Sequence, residues 1–300
     1  MTSFRVADDR AGTPPRIDGG TPRSAIGPAE PASLAGRAAV AGDLAIRAVT
    51  SAGRTRLTGL RSAFPIALRR TGAHRVHLVG TGAWPLGGDR IRLSVEVGPG
   101  ARLDLETVAA SVALPGRVSA PSQLEVSVRV ATGGRLHLDL GTMVLAAGSW
   151  HRGRVDVDLG HDATFAYRDL VIQGREGERG GRGELRLDVV TPEGPVVRER
   201  LDRSGGVASP LVDESARALG SVVAVGGGPP PADPALARGN VPSPGRAASA
   251  TVGPVGARGA ILDLPMDGWR AVALGSDVAT VDAWLEDVWT AACQPVAAHR

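Results

Sequence analysis

The chain has 300 residues, with 34 basic and 31 acidic side chains, a formal net charge of +3, and only 3% aromatic residues. Every basic residue is Arg and none is Lys; the arginines alternate with Asp and Glu instead of clustering in one run, which argues against a nucleic-acid binder. A single cysteine, Cys293, excludes an internal disulfide, no run of 18 apolar residues is present to span a bilayer, and residues 1–36 lack the basic start and apolar run of a signal peptide, so a soluble cytoplasmic protein is expected.

Residues 1–36 are rich in Pro and Gly with little periodicity and are expected to form a disordered tail. Structure is expected to begin near Arg37 and to continue to residue 292 as one domain, with residues 293–300 as a short tail. Residues 44–49 and 54–58 alternate apolar and polar positions around Ser51-Ala52-Gly53, the pattern of a hairpin. Residues 66–68 and 74–79 read as two further short strands, followed by a Gly-rich loop over 80–89.

A strand, turn, strand unit then recurs. It runs through 91–97, a Gly98-Pro99-Gly100 turn and 101–107; through 124–130, Gly133-Gly134 and 135–140; through 154–159, Gly160-His161-Asp162 and 163–167; and through 185–190 with a turn at 191–194. Aligned on Val97, Val130, Leu159 and Val190, the copies step by 33, 29 and 31 residues. Strict alternation is the period-2 signature of half-buried strands, and a regular repeat of this length implies units that each cover a neighbour's apolar face. The expected fold is all-β: an elongated body, β-helix-like or built of stacked hairpins, ending in a helix.

Residues 211–219 carry Asp213 and Glu214 early and Gly220 after, the outline of a short helix. Residues 226–258 are of low complexity and read as an internal loop. Residues 259–264 and 271–274 look like closing strands. Residues 277–293 form the one strong helical pattern, with Val278, Val281, Trp284 or Leu285, Val288 and Ala292 at helical spacing, Ser276 or Asp277 as cap and Pro295 as stop. Trp284 and Trp289 are five apart and so not on one stripe; one is expected to pack and the other to meet a partner.

Catalytic signatures are sparse: the chain has no nucleophile elbow, no phosphate-binding Gly-Lys-Ser/Thr and no His-Glu-x-x-His, so no enzyme is expected. Gly87-Gly88-Asp89 is the sharpest polar motif, in which Gly permits the turn and Asp either caps backbone amides or faces a partner. His74 and His77 are three apart, which on one extended strand places them on opposite faces. His137, His151 and His161 sit in neighbouring repeats and could converge with Asp139 or Asp162, though surface or loop positions suit them better, and the metal ligands, if any, stay unassigned. Asp156 and Asp158 share a strand face with Arg154, the pattern of a solvated ion-pair row. Cys293 reads as a packing residue.

The order of these segments resembles the UreD (UreH) family of urease accessory proteins. The resemblance is carried by Gly87-Gly88-Asp89-Arg90 leading into residues 95–101; by 105–110 (LETVAA); by Gly174-Arg175 with Gly177-Glu178; by 182–186 and 198–201; and by the last helix with Trp289. It spans residues 40–292. The chain departs from the family at Thr81-Gly82-Ala83-Trp84, at 111–115 and at 139–145. The resemblance implies a non-catalytic maturation chaperone that binds apo-urease together with a UreF-like accessory protein and a UreG-like GTPase and assists nickel insertion. No tightly bound cofactor is implied, only transient nickel. The residues it points to for partner binding or ion passage are Gly87, Gly88, Asp89, Glu96, Glu106, Thr107, Asp139 and Glu178, with Asp104, Asp156 and Asp158 as further oxygen donors. The rival reading is a stand-alone β-repeat module for a small ligand or glycan.

Overall fold

Gly-containing turns break the alternating segments into strands, and a computed structural model arranges 17 of them, among the described residues, in two sheets with one helix. The described residues are 38–203, 216–228, 249–252 and 257–294. Strands β1 (Ala41–Ser51) and β2 (Arg54–Arg61) form the expected hairpin, turning through Ala52 and Gly53, both at positive φ. Strands β3 (Ile66–Arg70) and β4 (Arg75–Gly80) pair antiparallel.

The repeated body comprises β5 (Arg90–Val97), β6 (Arg102–Thr107), the short β7 (Ser111–Ala113), β8 (Ser122–Val130), β9 (Arg135–Leu145), β10 (Trp150–Leu159), β11 (Thr164–Gln173) and β12 (Arg182–Thr191). The two strands of a repeat do not pair with each other. β5 pairs in parallel with β1 and β8, while β6 pairs in parallel with β4 and β9, so each Gly turn carries the chain from one sheet to the other. Of the two architectures the sequence allowed, this is the β-helix: a solenoid in which one repeat is one coil, not a stack of hairpins. Period-2 alternation leaves this choice open, because both arrangements bury one face of every strand.

Register confirms the repeat and corrects its last copy. Val97, Val130 and Leu159 are direct neighbours across β5, β8 and β10. In the fourth coil, however, Val190 lies beside Asp158, and it is Val189 that pairs with Val157 and is fully buried. A slip of one residue exchanges the two faces of a strand, and with Val at both 189 and 190 the apolar pattern does not betray it.

The main core lies between the sheets. Leu93, Val95 and Val97 with their equivalents in β8, β10 and β12 face Leu103, Leu136 and Phe165, then Leu105, Leu138 and Tyr167, which form ladders across β6, β9 and β11. Each such side chain gains about 1.5–3 kcal/mol on burial, so a core with almost no aromatic residues suffices.

The body is closed by β13 (Gly194–Arg203), β14 (Ala218–Val225), β15 (Ser249–Val252), β16 (Ala257–Leu264) and β17 (Gly268–Gly275). Two sequence readings change here. Ala218 and Leu219 belong to strand β14, paired with β11 and β17, not to a helix; residues 211–215 of that expected helix lie outside the described residues. β14 is buried almost throughout because the main core covers one face and the terminal helix the other, so it carries an unbroken apolar run that no period reveals. Within the expected loop 226–258, Ser249–Val252 forms strand β15 against β16, while 229–248 and 253–256 lie outside the described residues, as do 1–37 and 295–300.

Helix α1 (Val278–Ala292) matches the sequence pattern closely. Asp277 caps it by accepting the Ala279 amide at 3.1 Å, and Val281, Leu285, Val288, Trp289 and Ala292 are buried. It packs on the outer face of the second sheet, where Ala166, Ala218, Ala271 and Ala273 keep that surface low, and Leu285 lies so close to Gly220 that no side chain fits there. Of the two helix tryptophans Trp289 is buried, while Trp284 is half-buried and packs on Gly259.

Candidate functional site

The residues singled out from sequence divide among five places. Gly87-Gly88-Asp89 is a structural turn: a Cβ on Gly87 would meet the Gly116 amide nitrogen at 2.7 Å, Gly88 has φ +93°, and Asp89 is 0% exposed. Its Oδ1 accepts the Val40 amide at 2.9 Å and its Oδ2 the Leu86 amide at 3.0 Å. Asp89 thus adopts the first of the two arrangements that the motif allowed, with both oxygens holding backbone amides. Glu96 is exposed on the outer face of the first sheet, paired with Arg47 at 3.3 Å. Glu178 sits in the turn after β11, where Arg175 grips both its oxygens and holds its carboxyl down at about 2. Thr107 closes β6 and borders an internal cavity. Arg154 pairs with Asp156 through two bonds on the outer face of β10, as the alternation implied.

Glu106 and Asp139 do come together. They are register neighbours on the outer face of the second sheet, as are Asp104 and His137 one step along. Asp104 takes His137 at 3.0 Å and His74 at 3.3 Å, and Glu106 takes His77 at 3.3 Å. His74 and His77 thus reach carboxylates on one and the same face. The expectation of opposite faces fails because His74 lies just before β4, where period-2 geometry has not begun. Burial pushes the Asp104 carboxyl up, but the hydrogen bond and charge of His137, with His74 and Arg75, outweigh it and hold the group below its ordinary value. His137, His151 and His161 do not converge: His137 is on this outer face, His161 is exposed in a turn beside Glu193, and His151 is interior. Among the described residues no three His, Cys, Asp or Glu side chains are placed to hold a metal ion together. Cys293 is half-buried at the helix end, and burial pushes its thiol up to about 12, so it packs and does not react.

The most distinctive chemistry lies between the sheets, in a cavity of about 480 Å³. Its walls are mainly apolar, with Leu and Val the commonest residues, interrupted by His151 and Arg154 from β10, Tyr167 and Asp169 from β11, Arg186 from β12, Glu199 from β13, Ser221 from β14 and Arg270 from β17. Asp169 accepts the Ser221 hydroxyl at 2.8 Å and the Tyr167 hydroxyl at 3.2 Å. Enclosure by apolar walls pushes its carboxyl up against these two bonds. Glu199 is also pushed up by burial, although Arg270 donates to it and draws it back. Apart from His151, considered only as one of three histidines that could converge, sequence reasoning missed these residues. A parity signal was present: Asp169 is two residues beyond Tyr167 and four beyond Phe165, and so falls on the inward face of its strand.

His151 is 1% exposed, and burial lowers its pKa from 6.5 to about 4. The folded state therefore binds fewer protons than the unfolded chain between these values, so this contribution to stability is intact above pH 6.5 and lost as pH falls toward 4. Replacing His151 by Asn is expected to remove up to about 3 kcal/mol of the acid destabilisation over that interval. Urea denaturation at pH 7, 5.5 and 4.5 checks it: the wild-type and variant curves should converge with acid.

Comparison with known proteins places this geometry. The family model described as "UreD urease accessory protein" matches residues 40–300. A urease accessory protein UreD of Frankia casuarinae is 37% identical, the match covering 90% of this chain and 95% of that protein. One of Frankia alni is 37% identical over 73% of this chain and 88% of its own length, and a urease accessory protein UreD 1 of Streptomyces griseus is 39% identical over 52% and 62%.

Proposed function

As the chain belongs to the UreD family of urease accessory proteins, we propose that it acts without catalysis of its own, docking with apo-urease, a UreF-like protein and a UreG-like GTPase and passing nickel inward through its solenoid. The relatives named above are all urease accessory proteins, so the alternative of a stand-alone ligand- or glycan-binding module finds no support. The observation that carries the ion-passage reading is the cavity: a mainly apolar shell with a few nitrogen and oxygen donors on its wall, His151, Asp169 and Glu199, and, among the described residues, no three ligating side chains gathered into a trap. Such spacing suits a cation that must leave as readily as it enters. Docking is assigned to the outer face of the second sheet, where Asp104, Glu106 and Asp139 lie side by side. No helix among the described residues is long and apolar enough to cross a membrane, and the cytoplasm is the compartment proposed.

The test is to fill the cavity. Leu201 lines it from β13, a strand at the edge of its sheet that can adjust to a larger residue. Leu201→Trp is expected to lower urease activation in co-expressing cells by about tenfold or more while the variant still co-purifies with its partners and melts within a few degrees of wild type. Full activation with an indole in the cavity would exclude passage through it.

A further inference from the structure

The mechanism above asks only for donors along a route; one of them has a geometry the others lack. We propose that His151 is the nitrogen ligand that makes the interior of the solenoid selective for borderline divalent cations of the nickel type over hard cations such as magnesium, an inference that rests on the ion-passage reading.

The ring is held from one side only. Ser122 Oγ lies 2.9 Å from His151 Nδ1 and 3.3 Å from the Trp150 carbonyl oxygen. A hydroxyl has one proton and a carbonyl only accepts, so both contacts are satisfied together in one way: the Ser122 hydroxyl donates to Trp150, and His151 Nδ1–H donates to Ser122. That assignment fixes the tautomer and leaves Nε2 with a bare lone pair. Nε2 has no hydrogen-bond partner among the described residues, although the side chain is buried. Trp84 packs against the imidazole in a T-shaped contact, 6.5 Å between ring centroids and 89° between planes. Gly153 lines the cavity beside the imidazole: a Cβ there would stand 3.8 Å from Nε2, and it is the Leu185 side chain, 2.7 Å from that position, that requires the glycine.

The environment suits a cation. Burial keeps the imidazole neutral at pH 7, so no proton competes for the lone pair. The three arginines that border the cavity each pair with a carboxylate, Arg154 with Asp156, Arg186 with Asp188 and Arg270 with Glu199, and only the Arg270 Nε is buried without a partner among the described residues. An imidazole nitrogen binds nickel, copper or zinc well, whereas magnesium keeps oxygen ligands and gives up its water reluctantly. The carboxylates Asp169 and Glu199 elsewhere on the wall do not discriminate in this way. A purely structural histidine would need only the Ser122 bond, and that bond supplies the means to separate the two roles.

His151→Asn retains an amide near the Nδ1 position to bond Ser122 and removes the nitrogen facing the cavity. With the full-length protein labelled at histidine nitrogens, the His151 ring signals are identified by their absence from the variant. Substoichiometric nickel is expected to broaden them while magnesium leaves them unchanged. In a reconstituted activation mixture, the variant is expected to need about tenfold more nickel for half-maximal urease activation and to reach the wild-type maximum. Unperturbed His151 signals together with a wild-type nickel response would overturn the assignment and leave ion passage standing, as would a loss of activation that added nickel does not restore. Failure of the wild-type protein itself to support activation would instead remove the reading on which the assignment rests.

Discussion

Asp89→Ala is expected to destabilise the fold by about 2–5 kcal/mol, because it leaves two amides without their acceptors at a fully buried site. In a protein of this size that corresponds to a fall in melting temperature of roughly 5–15 °C. The turn it holds has no slack: Gly87 is pressed against Gly116, and the Arg90 amide, next along the chain, donates to the Val40 carbonyl at 2.7 Å. Asp89 therefore ties the start of β1 to the start of β5, the first parallel pairing of the solenoid. Asp89→Asn keeps one acceptor oxygen and is expected to cost about half as much. Thermal melts of the two variants decide it. An Asp89→Ala protein that melts with the wild type, yet fails to activate urease, would restore the partner-facing role that the motif suggested.

The same residue shows what the sequence makes legible and what it hides. Period-2 alternation identified almost every strand of the solenoid, and helical spacing with a capping Asp fixed α1 to within a residue, since both patterns are imposed locally by burial on one face. Which strands pair is a long-range property. The choice between hairpins and coils, the one-residue slip at Val189, and the doubly buried β14 all depend on neighbours about 30 or more residues away. The candidate site was harder for a related reason. A Gly-Gly-Asp turn is conspicuous in sequence because its backbone demands those residues, whereas His151 and Asp169 are isolated polar positions on the inward, otherwise mainly apolar faces of β10 and β11 and acquire meaning only when two sheets enclose them. Glu106 and Asp139 were found as separate donors, and only the parallel register of β6 and β9 makes them neighbours.

The second large effect is expected at Arg168, which links the solenoid to its helix. Its side chain is 9% exposed and donates to Asp139 at 2.9 Å and to Asp282 at 2.7 Å, with Glu286 at 3.5 Å. Asp282 and Glu286 are one turn apart on α1, so a single guanidinium from β11 grips the solenoid-facing edge of the helix. Removing it leaves Asp139, among the described residues, with only the Gly141 amide as a hydrogen-bond donor and takes from three carboxylates the cation they share. Breaking a buried pair from one side typically costs 3–5 kcal/mol; because Asp282 and Glu286 are half exposed, about 2–4 kcal/mol is expected for Arg168→Ala. Asp282→Ala, which spares Asp139, is expected to cost less than about 1 kcal/mol. The loss should concentrate in α1, so hydrogen exchange across Val278–Ala292 ought to accelerate well before the ladders of the solenoid open. A helix that keeps wild-type protection in Arg168→Ala would mean that Val281, Leu285, Val288 and Trp289 hold it by packing alone. Release of the helix has a further consequence, since it would bare the low apolar surface of Ala166, Ala218, Val222 and Ala271, and a chain so exposed is expected to self-associate.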